Sequence, residues 1–141
     1  MGKFINQDVS ISIAGVTLSD HAFNVDLPAE RDQIDVSGFN STGAKSFLPG
    51  ATDETVTIQF LQDFAANSVH ATLQPLYTNS STFALIIKPT SAGTSGTNPA
   101  FQGTAALFSY NGLSGNLGDR SEITAVFKSA DNLAPLAWAT A

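Results

Sequence analysis

The sequence predicts a mainly β protein with one short helix laid against the sheet. Three observations carry this reading. Period-two alternation of apolar and polar residues recurs along the chain, apolar spacing of the helical kind occurs in one place, and Gly, Pro and hydroxyl residues punctuate the rest. The run from Glu54 to Phe60 shows it most clearly: Val56, Ile58 and Phe60 make a buried face, and Thr55, Thr57 and Gln59 a wet one.

The elements follow in order. Asp8 to Ile13 alternates, with Val9, Ile11 and Ile13 on one face, and Ala14-Gly15 makes a tight turn into Val16–Leu18. Ahead of it, residues 1–7 form a polar arm carrying Phe4 and Ile5. Phe23 to Leu27 is a strand stopped by Pro28. The charge-dense run from Ala29 to Ile34 reads as its partner across a turn, or as a short helical turn at 29–33. Residues 37 to about 53 lack periodicity and read as a long loop, yet hold Phe39, Phe47 and Leu48. A solvated loop has no use for three large apolar groups, so this one is expected to order against a neighbouring subunit.

After the central strand, Asp63 or Asn67 can cap a helix over about residues 67–78, with Val69, Leu73, Leu76 and Tyr77 on its apolar side. Pro75 keeps it short or kinked. Strands follow at Thr82–Lys88, Ala100–Tyr110 and Glu122–Lys128, with a polar connection at 89–99 and a Gly-rich turn at 111–119. Gly103 marks a bulge or a close approach. The arm at 129–141 carries Leu133, Leu136 and the single Trp138, and is expected to be packed, within the chain or against a second copy.

At 141 residues the chain is read as a single domain able to bury about two-thirds of its unfolded surface. It has no Cys, which removes disulfides and thiolate metal sites. No apolar run reaches the roughly 18 residues of a membrane span, and no secretory signal is visible, so a soluble protein made in a cytoplasm is expected. The net charge of −6 argues against gripping phosphate, and suits a surface past which a polyanion slides.

Catalytic chemistry is thin. His21 and His70 lack the spacing of a metal motif and read as surface residues, and Ser68 stands in no nucleophile elbow. Asp53-Glu54 and Asp32/Asp35 read as acids at turns and strand starts. Gly112, Gly115 and Gly118 match no phosphate loop. Neither an enzyme nor a cofactor or metal site is expected.

Four stretches taken together resemble the tail tube (major tail) proteins of long-tailed, siphovirus-type bacteriophages. They are the strand and helix start from Glu54 to Phe64, the helix from Val69 to Tyr77, the strand Phe83–Lys88 with its loop ending Thr97-Asn98-Pro99, and the turn Gly112–Asp119 before the last strand. Their order and spacing carry the likeness across roughly residues 54–128.

The resemblance implies a β-sandwich or barrel with one flanking helix, in six-copy rings stacked into a tube that conducts DNA into the host. It implies a virion protein, assembled in the host cytoplasm, whose partners are its own copies, a tape-measure protein and tail terminator or distal-tail proteins. DNA would pass without specific binding, and no membrane is involved. Phe39, Lys45, Phe47, Leu48, Arg31, Phe4, Ile5 and Trp138 become candidate inter-ring or subunit contacts, with residues 37–53 as the inter-ring loop. Lys45 and Arg31 would pair with acidic neighbours. Thr55, Thr57 and Gln59 become candidate lumen-facing positions. The rival readings are a ring-forming terminator or distal-tail component, a small ligand- or carbohydrate-binding β-sandwich, and a hydrolase.

Overall fold

The computed structural model describes residues 5, 7–39, 42–131 and 133–140; Phe4 lies outside them. The described strands are β1 (Ser10–Ile13), β2 (Val16–Thr17), β3 (Ala22–Asp26), β4 (Ala29–Asp35), β5 (Phe47–Leu61), β6 (Thr82–Lys88), β7 (Ala100–Tyr110), β8 (Glu122–Ser129) and β9 (Ala137–Ala139). One helix, α1 (Val69–Thr78), lies between β5 and β6. All pairings are antiparallel, and the sheet runs β2-β1-β6-β7-β8-β5-β3, with β9 also on β7 and β4 also on β5.

The sheet curls. β1 and β3 stand far apart in its order, yet Val9, Ile11, Ala22 and Val25 line one cleft. Alternation decides what faces inward: Val56, Ile58 and Phe60 of β5 meet Ile123, Ala125 and Phe127 of β8, and Leu85 and Ile87 of β6 join the same cluster. Phe83 meets Phe127 edge-on at 5.8 Å. Each such Val, Ile, Leu or Phe side chain, fully buried, stabilises the fold by about 1.5–3 kcal/mol relative to exposure. The expected sandwich or barrel with one flanking helix is thus built from one continuous sheet around one core.

Helix α1 covers the part of β7 that β6 leaves open, since the β6–β7 pairing ends at Ala106 while β7 runs on to Tyr110. Val69 and Leu73 enter the core and Leu76 packs at its margin, as the spacing predicts, but Tyr77 stays half-exposed. Ser68, rather than Asp63 or Asn67, is the N-cap residue. Pro75 lies inside the helix, which ends three residues later.

Two further features differ from expectation. β3 and β4 do not pair with each other across Pro28. They line up in succession along one edge of β5, with Asp26 opposite Thr57 and Ala29 opposite Glu54. The loop expected over 37–53 is also shorter, because the chain is already strand from Phe47. Pro49 and Gly50 disguise that strand, and both are tolerated because β4 is its only partner over this stretch.

Other local expectations hold. Ala14 and Gly15 both have positive φ (53° and 83°), giving the tight hairpin between β1 and β2. Gly103 marks a close approach: a Cβ there would stand 2.5 Å from the Pro135 carbonyl oxygen and 2.7 Å from the Leu136 nitrogen. The C-terminal arm crosses here, held by Thr104 N–H to the Ala134 carbonyl (3.0 Å) and by Leu136 N–H to Ser129 Oγ (3.0 Å). Leu136 is buried in the core, and Trp138 meets Phe101 edge-on at 5.3 Å. The bulge in β7 falls at Phe108 instead.

Gly103→Ala is therefore expected to displace the C-terminal arm and cost about 1–3 kcal/mol. Urea unfolding checks the cost. The fluorescence of Trp138, the only Trp, should shift to the red in the folded state.

Candidate functional site

β5 is fifteen residues long and serves two structures. Its second half, from Thr55, is a central strand held by β8 on one side and β3 on the other. Its first half pairs with β4 alone. The result is a two-stranded ribbon projecting from the sheet, with its eight residues Phe47–Glu54 spanning about 26 Å. Every residue of β4 is exposed, and among the described residues none from 29 to 54 belongs to the core. Beyond the strands the ribbon continues through Val36 N–H to the Ser46 carbonyl (2.9 Å) and a Ser46 N–H to Ser37 Oγ bond (2.7 Å).

The ribbon is amphipathic on both sides. Ile34 sits opposite Leu48, and Phe47 opposite Asp35. Ile34, Val36, Phe47 and Leu48 are each about half-exposed, and Phe39, in the connection at the tip, is fully so. An isolated two-stranded ribbon is marginal in water. This one adds apolar side chains left half-open and, among the described residues, a backbone edge along β4 that no strand pairs. Strand edges of this kind are where other chains pair.

The predicted contact residues separate accordingly. Phe39, Lys45, Phe47, Leu48 and Arg31 are brought together on the ribbon and its tip. Lys45 and Arg31 form no ion pair among the described residues, and Arg31 Nη1 reaches only the Gly50 carbonyl at 3.4 Å. Ile5, near the N-terminus, is exposed. Trp138 leans on Phe101 with half of its surface open. Sequence reasoning missed Ile34 and Val36, whose alternation with Gln33 and Asp35 was available but was overshadowed by the surrounding charge.

Thr55, Thr57 and Gln59 lie on the face of β5 opposite to the core, beside Lys128, Val126 and Thr124 of β8. Gln59 accepts from Asn24 Nδ2 at 2.8 Å, and Lys128 pairs with Asp53 at 3.3 Å. This stretch of the outer face is small, polar and partly wet.

At the far end of β5 lies a constellation with catalytic overtones. His21 has Nδ1 2.8 Å from Asp20 Oδ1 and Nε2 2.9 Å from Asp63 Oδ2, with Ser68 Oγ 3.2 Å from Nε2. An acid–histidine–serine relay needs a lone pair on the nitrogen that faces the serine. Here that nitrogen donates to Asp63, and Ser68 is buried. Hydrogen bonds from the Ala65 amide, Ser68 and His21 hold Asp63 below the usual carboxylate range. His70 bonds Tyr110 Oη at 2.8 Å and packs against Phe64. Both histidines, expected as plain surface residues, are partly buried structural groups. Among the described residues no cluster of three or more His, Asp or Glu could hold a metal.

A virion structure of a native gene transfer agent particle contains a chain matching 99% of this one over 99% of its own length, with TM-score 0.74 and 11% identity. The SPP1 tail tube matches with TM-score 0.70 and 12% identity, over 97% of this chain and 78% of that one. The chain has the tail tube fold. The tail of an empty gene transfer agent particle, solved with C6 symmetry, matches at TM-score 0.68 and 12% identity over 96% of both chains. No protein-family model matches the chain, and no curated protein does.

In the isolated chain, amides of the ribbon should exchange far faster than those of Thr57 and Gln59 in the same strand, because only there is β5 flanked by strands on both edges. Hydrogen exchange resolved along β5 checks this, and uniform protection would show the ribbon to be stable alone.

Proposed function

We infer that the chain is a structural subunit that assembles in stacked hexameric rings into a tail tube, the conduit for DNA ejection. The observation that carries this reading is the ribbon: a finished core extended by a projecting arm whose apolar residues and strand edge are uncovered. Such an arm is consistent with a chain that completes its packing against other copies. The tail tube fold, and the sixfold symmetry of one of its neighbours, support the same reading.

In this reading Phe39, Phe47 and Leu48, joined by Ile34 and Val36, anchor the arm on the adjacent ring. Lys45 and Arg31 find their carboxylates on a neighbouring copy. Phe4, Ile5 and the exposed side of Trp138 add subunit contacts. The face of Thr55, Thr57 and Gln59 lines the lumen, where hydroxyl and amide groups keep water and the adjacent Lys128 is already paired with Asp53. The acidic net charge acts in the same direction. The protein works in the virion tail after assembly in the host cytoplasm, with tape-measure and terminator or distal-tail proteins as its other partners. No catalytic step is assigned.

Electron microscopy of concentrated protein, after size-exclusion chromatography with light scattering, tests this. Tubes or stacked rings are expected from the wild type. Phe47→Asp should stay folded, within about 0.5 kcal/mol of wild type because the site is outside the core, and should form none. Discrete rings that never elongate would point to a terminator or distal-tail component, and unchanged tube yield from Phe47→Asp would remove the arm from the interface.

A further inference from the structure

The cluster around His21 has a feature that the assembly reading does not use. A neutral imidazole donates from one ring nitrogen only, and the other presents a lone pair. Both nitrogens of His21 face carboxylate oxygens, Asp20 at 2.8 Å and Asp63 at 2.9 Å. Either neutral tautomer would therefore set a lone pair against a carboxylate. Only the imidazolium donates to both carboxylates at once, with Ser68 Oγ, 3.2 Å from Nε2, as the third polar neighbour.

The three groups come from separate parts of the chain. Asp20 and His21 belong to the turn between β2 and β3, while Asp63 follows β5 and Ser68 caps α1. Asp63 is tied to the helix start in two further ways: its side chain accepts from the Ala65 amide at 2.9 Å, and its carbonyl accepts from the His70 amide at 3.1 Å. Ser68 offers no side-chain cap bond to the helix amides, and its hydroxyl instead lies 3.2 Å from His21 Nε2. The start of α1 thus depends on a contact 42 residues away in sequence.

We propose that His21 is a charged clamp that pins the start of helix α1 to the β2–β3 turn, so that this end of the molecule loosens as pH rises and the imidazolium loses its proton. Among the described residues, the charges acting on His21 are those of Asp20 and Asp63. Partial burial pulls its pKa down, but the hydrogen bonds and charges of Asp63 and Asp20 outweigh that and leave it above the ordinary 6.5. The sign follows. A raised histidine pKa stabilises the fold fully below the ordinary value, and that contribution is lost as pH climbs through the raised one. Asp63, held low, contributes above its ordinary 3.8 and loses that contribution as pH falls through its lowered value. The clamp is strongest between the two, on the mildly acidic side of neutrality.

The test uses the full chain from about pH 5 to 9, following the imidazole NMR signals of both histidines and the protection factors of the His70 and Thr72 amides. His21 is expected to titrate above 6.5, with protection at the helix start falling at the same midpoint while that of β5 to β8 holds. His21→Lys, a permanent cation at this pH, should keep the protection throughout, and His21→Gln should lack it throughout. His70→Gln, which leaves the clamp intact, should still show the pH step. Titration of His21 at or below 6.5, protection that ignores its midpoint, or protection that persists in His21→Gln would overturn the proposal. None of these readouts depends on whether the protein forms tubes.

Discussion

The structure depends on the continuity of β5. One strand is stitched into the sheet by β8 and β3 along its second half and holds β4 alone along its first. Burial of Val56, Ile58 and Phe60 fixes the position of the strand, and backbone pairing carries that order outward into a ribbon that buries nothing of its own. The core therefore orients the arm. A loop of equal length would start from the same place but would have to be ordered entirely by its partner, at an entropic cost of roughly 1–2 kcal/mol per residue.

This division also explains what the sequence reveals. The second half of β5 is legible because period-two alternation is the direct imprint of a half-buried strand. The first half is not. Its apolar residues have no core to face, so no alternation is imposed, and Pro49 and Gly50 read as loop residues. The extended state of β4 comes from pairing with β5 rather than from its own charge-rich sequence, and such pairing is not written locally. The helix is legible at Val69, Leu73 and Leu76, which pack, and misread at Tyr77, where the next turn has already passed the core margin.

The candidate site was legible to the same degree. Phe39, Phe47 and Leu48 stood out because large apolar residues among Gly, Ser and Pro need an explanation, whatever their secondary structure. Ile34 and Val36 hid among acids. Gly103 announced a close approach, but its partner, the backbone at Pro135, lies 32 positions on, a pairing that only the fold creates. The same holds for His21 and Asp63. Interactions confined to one element leave periodic traces, whereas side-chain pairs joined by tertiary structure leave none in a single sequence.

Because β5 is unbroken from body to arm, the two halves form a lever. A ribbon of two strands is stiff along its length but flexes across its plane, so a small rocking of the body becomes a larger sweep at the tip, where Phe39 sits. In the proposed stack of rings the tips would feel every tilt between layers first. Curvature would then be taken up in the thin ribbons and spare the packed cores, as a chain of rigid links bends at its joints.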